Sequence, residues 1–219
     1  MRRSLLKLSC LFVLGASTAS AATVSALYYD MQNGGSGAFT YYDDSYTCVN
    51  LVACSANGTQ GTDYSSLFGG KGDLTDGVIA SANWFSTPAP YVGWQNFDPL
   101  IQFHFAPGTS IHSVTIFFDD SGGAGTVSPP ASFDFTNGGP TQNFLVGTNP
   151  SPTNPYSQTF NVALGATTQL DITSHRRNNW QMISEIQFDG SQSSVPEPAS
   201  GLLAIAGLGL VPLLRRRFR

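Results

Sequence analysis

Residues 100–123 read LIQFHFAPGTSIHSVTIFFDDSGG. In both LIQFHF and SVTIFF, apolar and polar side chains alternate with a period of two. That period sends successive side chains to opposite faces of an extended strand. Pro107-Gly108 between the runs reads as a turn, and Asp119-Asp120-Ser121-Gly122-Gly123 closes the second run. Two strands joined by a turn are therefore expected here.

The same pattern recurs outward from this stretch. Residues 131–135 (ASFDF) end at Asn137-Gly138-Gly139, and further runs lie at 159–164, 169–173 and 180–188. No segment of the body keeps a helical periodicity, and no repeat of fixed period is present. With 23 Gly, 13 Pro and only 11% charged residues, strands separated by Gly/Pro/Asn turns predict an all-β sandwich.

Charge is segregated. Arg2, Arg3 and Lys7 stand at the start, and Arg215, Arg216, Arg217 and Arg219 at the end. Between residues 23 and 195 there are thirteen acidic against three basic residues, a formal charge of about −10. Such a body disfavours nucleic acid, whose phosphates need Lys and Arg. It suits cation binding and solubility outside the cell.

The ends read as addresses. Residues 1–22 have a basic start, an apolar stretch and small residues at Ala19-Ser20-Ala21-Ala22, the pattern of a secretory signal peptide. The apolar run is far short of the roughly 20 residues of a spanning helix. Cys10 lies inside it and lacks the context for lipidation. Export leaves Cys48 and Cys54, with five residues between them. In an oxidising compartment this pair predicts a small disulfide loop. Metal ligation or redox chemistry would call for tighter spacing or further Cys/His partners.

At the other end, residues 199–214 carry no charge. As a helix they span about 24 Å, slightly short of a hydrocarbon core of about 30 Å. The four arginines beyond would stay cytoplasmic and stop transfer. Pro196-Glu197-Pro198, the apolar segment and the arginine cluster together resemble the PEP-CTERM sorting domain of Gram-negative bacteria. The resemblance implies recognition and cleavage by an exosortase, a membrane-embedded transpeptidase-like enzyme. It also implies transient anchoring in the inner membrane, then the cell surface or extracellular space, in bacteria that make extracellular polysaccharide. It covers about 25 residues and says nothing of the body's chemistry. The expected organisation is a signal peptide at 1–22, a β-sandwich at 23–190, a linker with the motif at 191–198 and a single hydrophobic sorting helix with its arginine tail at 199–219.

Two pieces of the body carry a second resemblance. Gly72-Asp73-Leu74-Thr75-Asp76-Gly77, followed by Asn83-Trp84, and the final run WQMISEIQFDG at 180–190 are similar to the discoidin-type, galactose-binding-like domains. This implies a jelly-roll-like sandwich over residues 70–190, with residues 23–69 as an N-terminal strand and loop elaboration. It also implies calcium between the Asp-Gly loop and the last strand, with Asp76 and Glu185 as ligands, Asp73 as a third and backbone carbonyls of 74–78 completing the six to eight oxygens. The alternative is that Asp76 caps a tight turn with Gly77 at positive φ and Glu185 faces solvent.

Sugar recognition is the other inherited expectation. It asks for an exposed aromatic ring and a few polar groups. Trp84, Tyr91 and Trp94, with Phe85, are the aromatic candidates, and Asp119-Asp120 and residues 175–179 (HRRNN) form polar loops. Packing of the tryptophans into the sandwich rim is the competing reading.

Catalysis finds little support. His104, His112 and His175 show no metal-ligand spacing, and no G-x-S-x-G elbow occurs. Asp43-Asp44 and Asp119-Asp120 are adjacent pairs whose members point apart on a strand, so neither is a ready acid/base dyad. The expectation is a non-catalytic surface or matrix protein. A carbohydrate-binding module for extracellular polysaccharide is the alternative and a secreted hydrolase the third reading.

Overall fold

The computed structural model describes residues 22–34, 41–43, 72–149 and 155–193. The expected signal peptide up to Ala21, Cys48 and Cys54, the Pro196-Glu197-Pro198 motif, the apolar tail and the arginine cluster all lie outside these residues.

Eight strands and one short 3-10 turn, Ala124–Thr126, make up the regular structure of the described residues. The strands are β1 (Ala22–Val24), β2 (Tyr28–Met31), β3 (Val92–Gln95), β4 (Leu100–Phe118), β5 (Ser132–Thr136), β6 (Gln142–Leu145), β7 (Tyr156–His175) and β8 (Trp180–Gln192). All pair antiparallel, in the order β1-β8-β4-β7-β5-β6, with β2 added against β4 and β3 against β8. The body is all-β, as the alternation predicts. The N-terminal residues are integral to it: Val24 pairs with Phe188 and Tyr29 with Phe103.

One expectation is corrected. The two runs flanking Pro107-Gly108 are a single 19-residue strand, β4, and the runs at 159–164 and 169–173 likewise belong to one strand, β7. Pro107 supplies no backbone donor and Gly108 adopts φ 80°, yet the chain bends there without reversing. The Thr109 hydroxyl donates to the Ala106 carbonyl at 2.7 Å, and Ser193 N–H donates to Gly108 O at 3.0 Å. The β4–β7 register shifts between His104 and Thr109, between Ser110 and Ile111, and again between Ile111 and Ser113. Ile101, Phe103 and Phe105 are buried before the shifts, and Val114, Ile116 and Phe118 after them. The buried set passes from odd to even positions because a bulge inserts a residue and exchanges the two faces of a strand.

The bent long strands bring the inward faces of both halves into one core. Phe103 and Phe105 pack on Phe188, with ring centroids 4.9 and 5.0 Å away, and Phe133 packs on Phe160 at 5.3 Å. Such edge-to-face pairs add about 0.5–1.5 kcal/mol each beyond the area they bury. A smaller cluster of Ala80, Tyr91, Val127, Trp180 and Met182 fills the end of the molecule where β8 begins. There Val127 bridges to Trp180, and Ser128 N–H donates to Trp180 O at 3.3 Å. The loop that follows β4 is thereby fixed against the start of β8.

Candidate functional site

The aromatic candidates do not form one exposed patch. Trp94 is 1% exposed on β3, and its indole N–H donates to Gln32 O at 2.8 Å. Tyr91 is 3% exposed, with its hydroxyl donating to Ala82 O at 3.0 Å. Only Trp84 is half-buried, with Phe85 exposed beside it. The expected Trp84/Tyr91/Trp94 platform is therefore corrected. Pairing of β3 with β8 turns Trp94 inward, where so large a ring contributes most by burial.

The polar loops behave otherwise. Asp119 and Asp120 follow the last residue of β4 and diverge. Asp119, 0% exposed, accepts the Trp84 N–H at 2.8 Å through Oδ2 and the Ser121 hydroxyl through Oδ1. Burial raises its carboxyl above the ordinary value, against those two hydrogen bonds. Asp120 turns the other way. Its Oδ1 accepts Gly122 N–H at 3.1 Å and its Oδ2 accepts the Asn149 amide at 2.8 Å.

Asp120 and Asn149 border a cleft of about 210 Å³ together with Ser128, Thr148 and Arg177. Arg177 is oriented through one nitrogen, Nη2, which donates to Val146 O at 3.2 Å and to Pro130 O at 3.5 Å. Guanidinium has five N–H donors, so most of this one is left for other acceptors. The neighbouring Arg176 is spent differently, on Asp98 at 3.8 Å. His175 lies between Asp134, 2.8 Å from Nε2, and Asp98, 3.6 Å from Nδ1. The Asp119-Asp120 and 175–179 loops, far apart in the chain, thus meet around one cleft. Asn149 and Ser128 complete it, and neither belongs to a motif that a sequence reading could single out.

His104 is also accounted for. It stacks on Tyr28 with centroids 4.3 Å apart, and its Nε2 lies 3.2 Å from Asp30. His112 is exposed on β4.

The Asp-Gly loop and the last strand do come together. Gly77, at φ 89°, donates its N–H to Glu185 Oε2 at 3.2 Å, and Asp76 Oδ1 accepts Val78 N–H at 2.7 Å. Ile186 N–H donates to Leu74 O at 2.8 Å. Asp76 and Glu185 border a common cleft of about 240 Å³, whereas Asp73 borders a different cavity, beside Tyr41, Tyr42 and Tyr91. Two carboxylates and the carbonyls of a tight turn are hard oxygen donors and fit calcium chemistry in kind. Among the described residues no cluster of three or more His, Cys, Asp or Glu side chains could hold a metal. An ion here would draw the rest of its shell from the backbone and water, without Asp73.

No family model and no curated protein sequence matches this chain. Solved structures show loose similarity. A fucolectin from striped bass serum has a TM-score of 0.43 at 15% identity, over 77% of this chain and 47% of the lectin chain. An F5/8 type C domain from Bacteroides fragilis has a TM-score of 0.37 at 10% identity, over 79% of this chain and 98% of that domain. A family 32 carbohydrate-binding module from C. perfringens, solved with galactose, has a TM-score of 0.31 at 9% identity, over 45% of this chain and 75% of the module.

Proposed function

We propose that this chain is an exported, non-catalytic protein of the cell surface or extracellular matrix whose body binds carbohydrate. The observation that carries the reading is the convergence of Asp120, Asn149 and Arg177 on one cleft. A sugar offers hydroxyls that both donate and accept. Asp120 keeps acceptor capacity beyond its two hydrogen bonds, and Arg177 keeps donors beyond its two carbonyl partners. The hydroxyls of Ser128 and Thr148 serve in either sense. Asp119 is sealed against Trp84 and Ser121, so the cleft has Asp120 as the one carboxylate among its described lining residues. General acid/base cleavage of a glycoside needs two.

Delivery belongs to the ends of the chain. The signal peptide directs export, and the Pro196-Glu197-Pro198 tail directs handling by an exosortase-type enzyme at the inner membrane. Calcium, where bound, would sit between Asp76 and Glu185 and tie the Asp-Gly loop to β8.

The test is affinity electrophoresis of the mature protein through gels containing neutral or acidic polysaccharides, together with an assay for new reducing ends. Retention by at least one polysaccharide, without release of reducing ends, is expected. Asp120→Asn and Arg177→Met should each weaken retention about tenfold or more, the scale of one hydrogen bond to a charged group, with each variant confirmed folded by its melting transition. Retention by none, or retention that ignores both substitutions, would overturn the assignment.

A further inference from the structure

On the other side of the 119–127 loop lies a second recess, built from different residues and not needed for carbohydrate. Tyr41 stands between two indoles. Its ring centroid is 5.9 Å from Trp84, with planes 86° apart, and 5.8 Å from Trp180, with planes 84° apart. Val127 and Met182, each 1% exposed, close the inner side. Gly125 closes the outer side at φ 61°, and a Cβ there would meet Trp84 Cζ2 at 2.5 Å. A side chain at this left-handed position would collide with the indole, so glycine is needed there. The recess holds about 90 Å³, well below the roughly 300 Å³ of a drug-sized ligand pocket. It has room for a small head group.

Two properties define what that group is. The first is charge. Asp119 accepts the Trp84 backbone N–H, is 0% exposed, and forms no ion pair with Lys, Arg or His among the described residues. Its field reaches the recess: burial, and then the Asp119 charge, raise the Tyr41 phenol. A buried carboxylate without a counter-cation favours a cation nearby. The second is the shortage of hydrogen-bond acceptors on an almost wholly aromatic and aliphatic wall, where the one buried side-chain polar atom without a hydrogen-bond partner among the described residues, the Trp84 indole N–H, is a donor. A primary ammonium would bring three N–H donors and leave them unsatisfied at considerable cost. A quaternary ammonium brings none, and its spread positive charge is attracted to the faces of aromatic rings.

We propose that the Tyr41–Trp84–Trp180 recess binds a quaternary ammonium group. The ring faces supply the cation–π attraction, Val127 and Met182 supply apolar contact for the methyl groups, and Asp119 supplies the counter-charge.

The experiment is a tryptophan-fluorescence titration of the mature protein with choline chloride, against sodium chloride at equal ionic strength. The comparison ligand is 3,3-dimethyl-1-butanol, the neutral carbon counterpart of choline. Trp84 and Trp180 report on the recess, while Trp94 in the core gives a constant background. Saturable quenching by choline is expected, with the butanol about tenfold weaker or more, the scale of a desolvated cation–π contact. Asp119→Asn keeps size and one acceptor oxygen, so it tests the charge in a folded protein. It should weaken choline severalfold and leave the butanol unchanged. Trp84→Leu should weaken both. Equal affinity for choline and the butanol would mean a merely apolar pocket and overturn the proposal. No saturable response beyond the salt control would overturn it equally.

Discussion

The backbone N–H of Gly77 donates to Glu185 Oε2 at 3.2 Å across 108 positions of sequence. Glu185 is 3% exposed while Gly77 lies on an exposed loop, so this bond ties the Asp-Gly loop to a buried carboxylate on the last strand. A buried carboxylate is costly to leave without its hydrogen-bond donors. The pairing is therefore a lever on stability.

If calcium occupies the Asp76–Glu185 cleft, it binds the native state and not the unfolded one. Stabilisation then follows mass action, about 2.7 kcal/mol when free calcium is a hundredfold above its dissociation constant. A shift of several degrees in calorimetry between calcium and chelator is expected for a domain of this size. Glu185→Gln should lose most of that shift. Asp73→Asn should keep it, because Asp73 borders a different cavity. Identical melting of the unmodified protein in calcium and in chelator would remove the metal.

Asp119 predicts a pH dependence with a definite sign. Burial raises its folded pKa above the unfolded value. The folded state therefore binds the proton more tightly, and stability is lost as pH rises from the unfolded value through the folded one. Asp119→Asn removes the titration. The melting difference, variant minus parent, should be more positive at pH 7 than at pH 4. A difference that stays constant across thermal melts from pH 3.5 to 7.5 would refute the assignment to Asp119.

The tail gives a prediction independent of the body. Replacing Pro196-Glu197-Pro198 with alanines should leave export intact and block C-terminal maturation. Mass spectrometry of the C-terminus, in cells with and without the sorting enzyme, is the check. The same full-length product from both cells with the unmodified chain would exclude a sorting role.

The period-two alternation of SVTIFF and SFDF was enough for an all-β body, since a strand's faces follow from local geometry alone. Asp119 and Asp120 lie past the end of β4, and their partners, Trp84 and Ser121 on one side and Gly122 and Asn149 on the other, set them apart. The meeting of the Asp76-Gly77 loop with Glu185 was legible from a motif resemblance, and the geometry places them together.

Period alone could not reveal where the register shifts. Pro107-Gly108 reads as a turn, and becomes a bend because β7 and β8 pair alongside β4 and hold its direction. Nor could it reveal that Trp94 is buried while Trp84 is half-open, which depends on pairing of β3 with β8. The convergence of Asp120, Asn149 and Arg177, and of Tyr41, Trp84 and Trp180, likewise joins residues with no shared motif. Composition, charge segregation and strand character are properties of short windows, and the sequence by itself determined them. Which face is inward, which loops meet and which carboxylate loses its water depend on contacts between residues distant in the chain. Only tertiary packing decides those, because burial is a property of the whole assembled core.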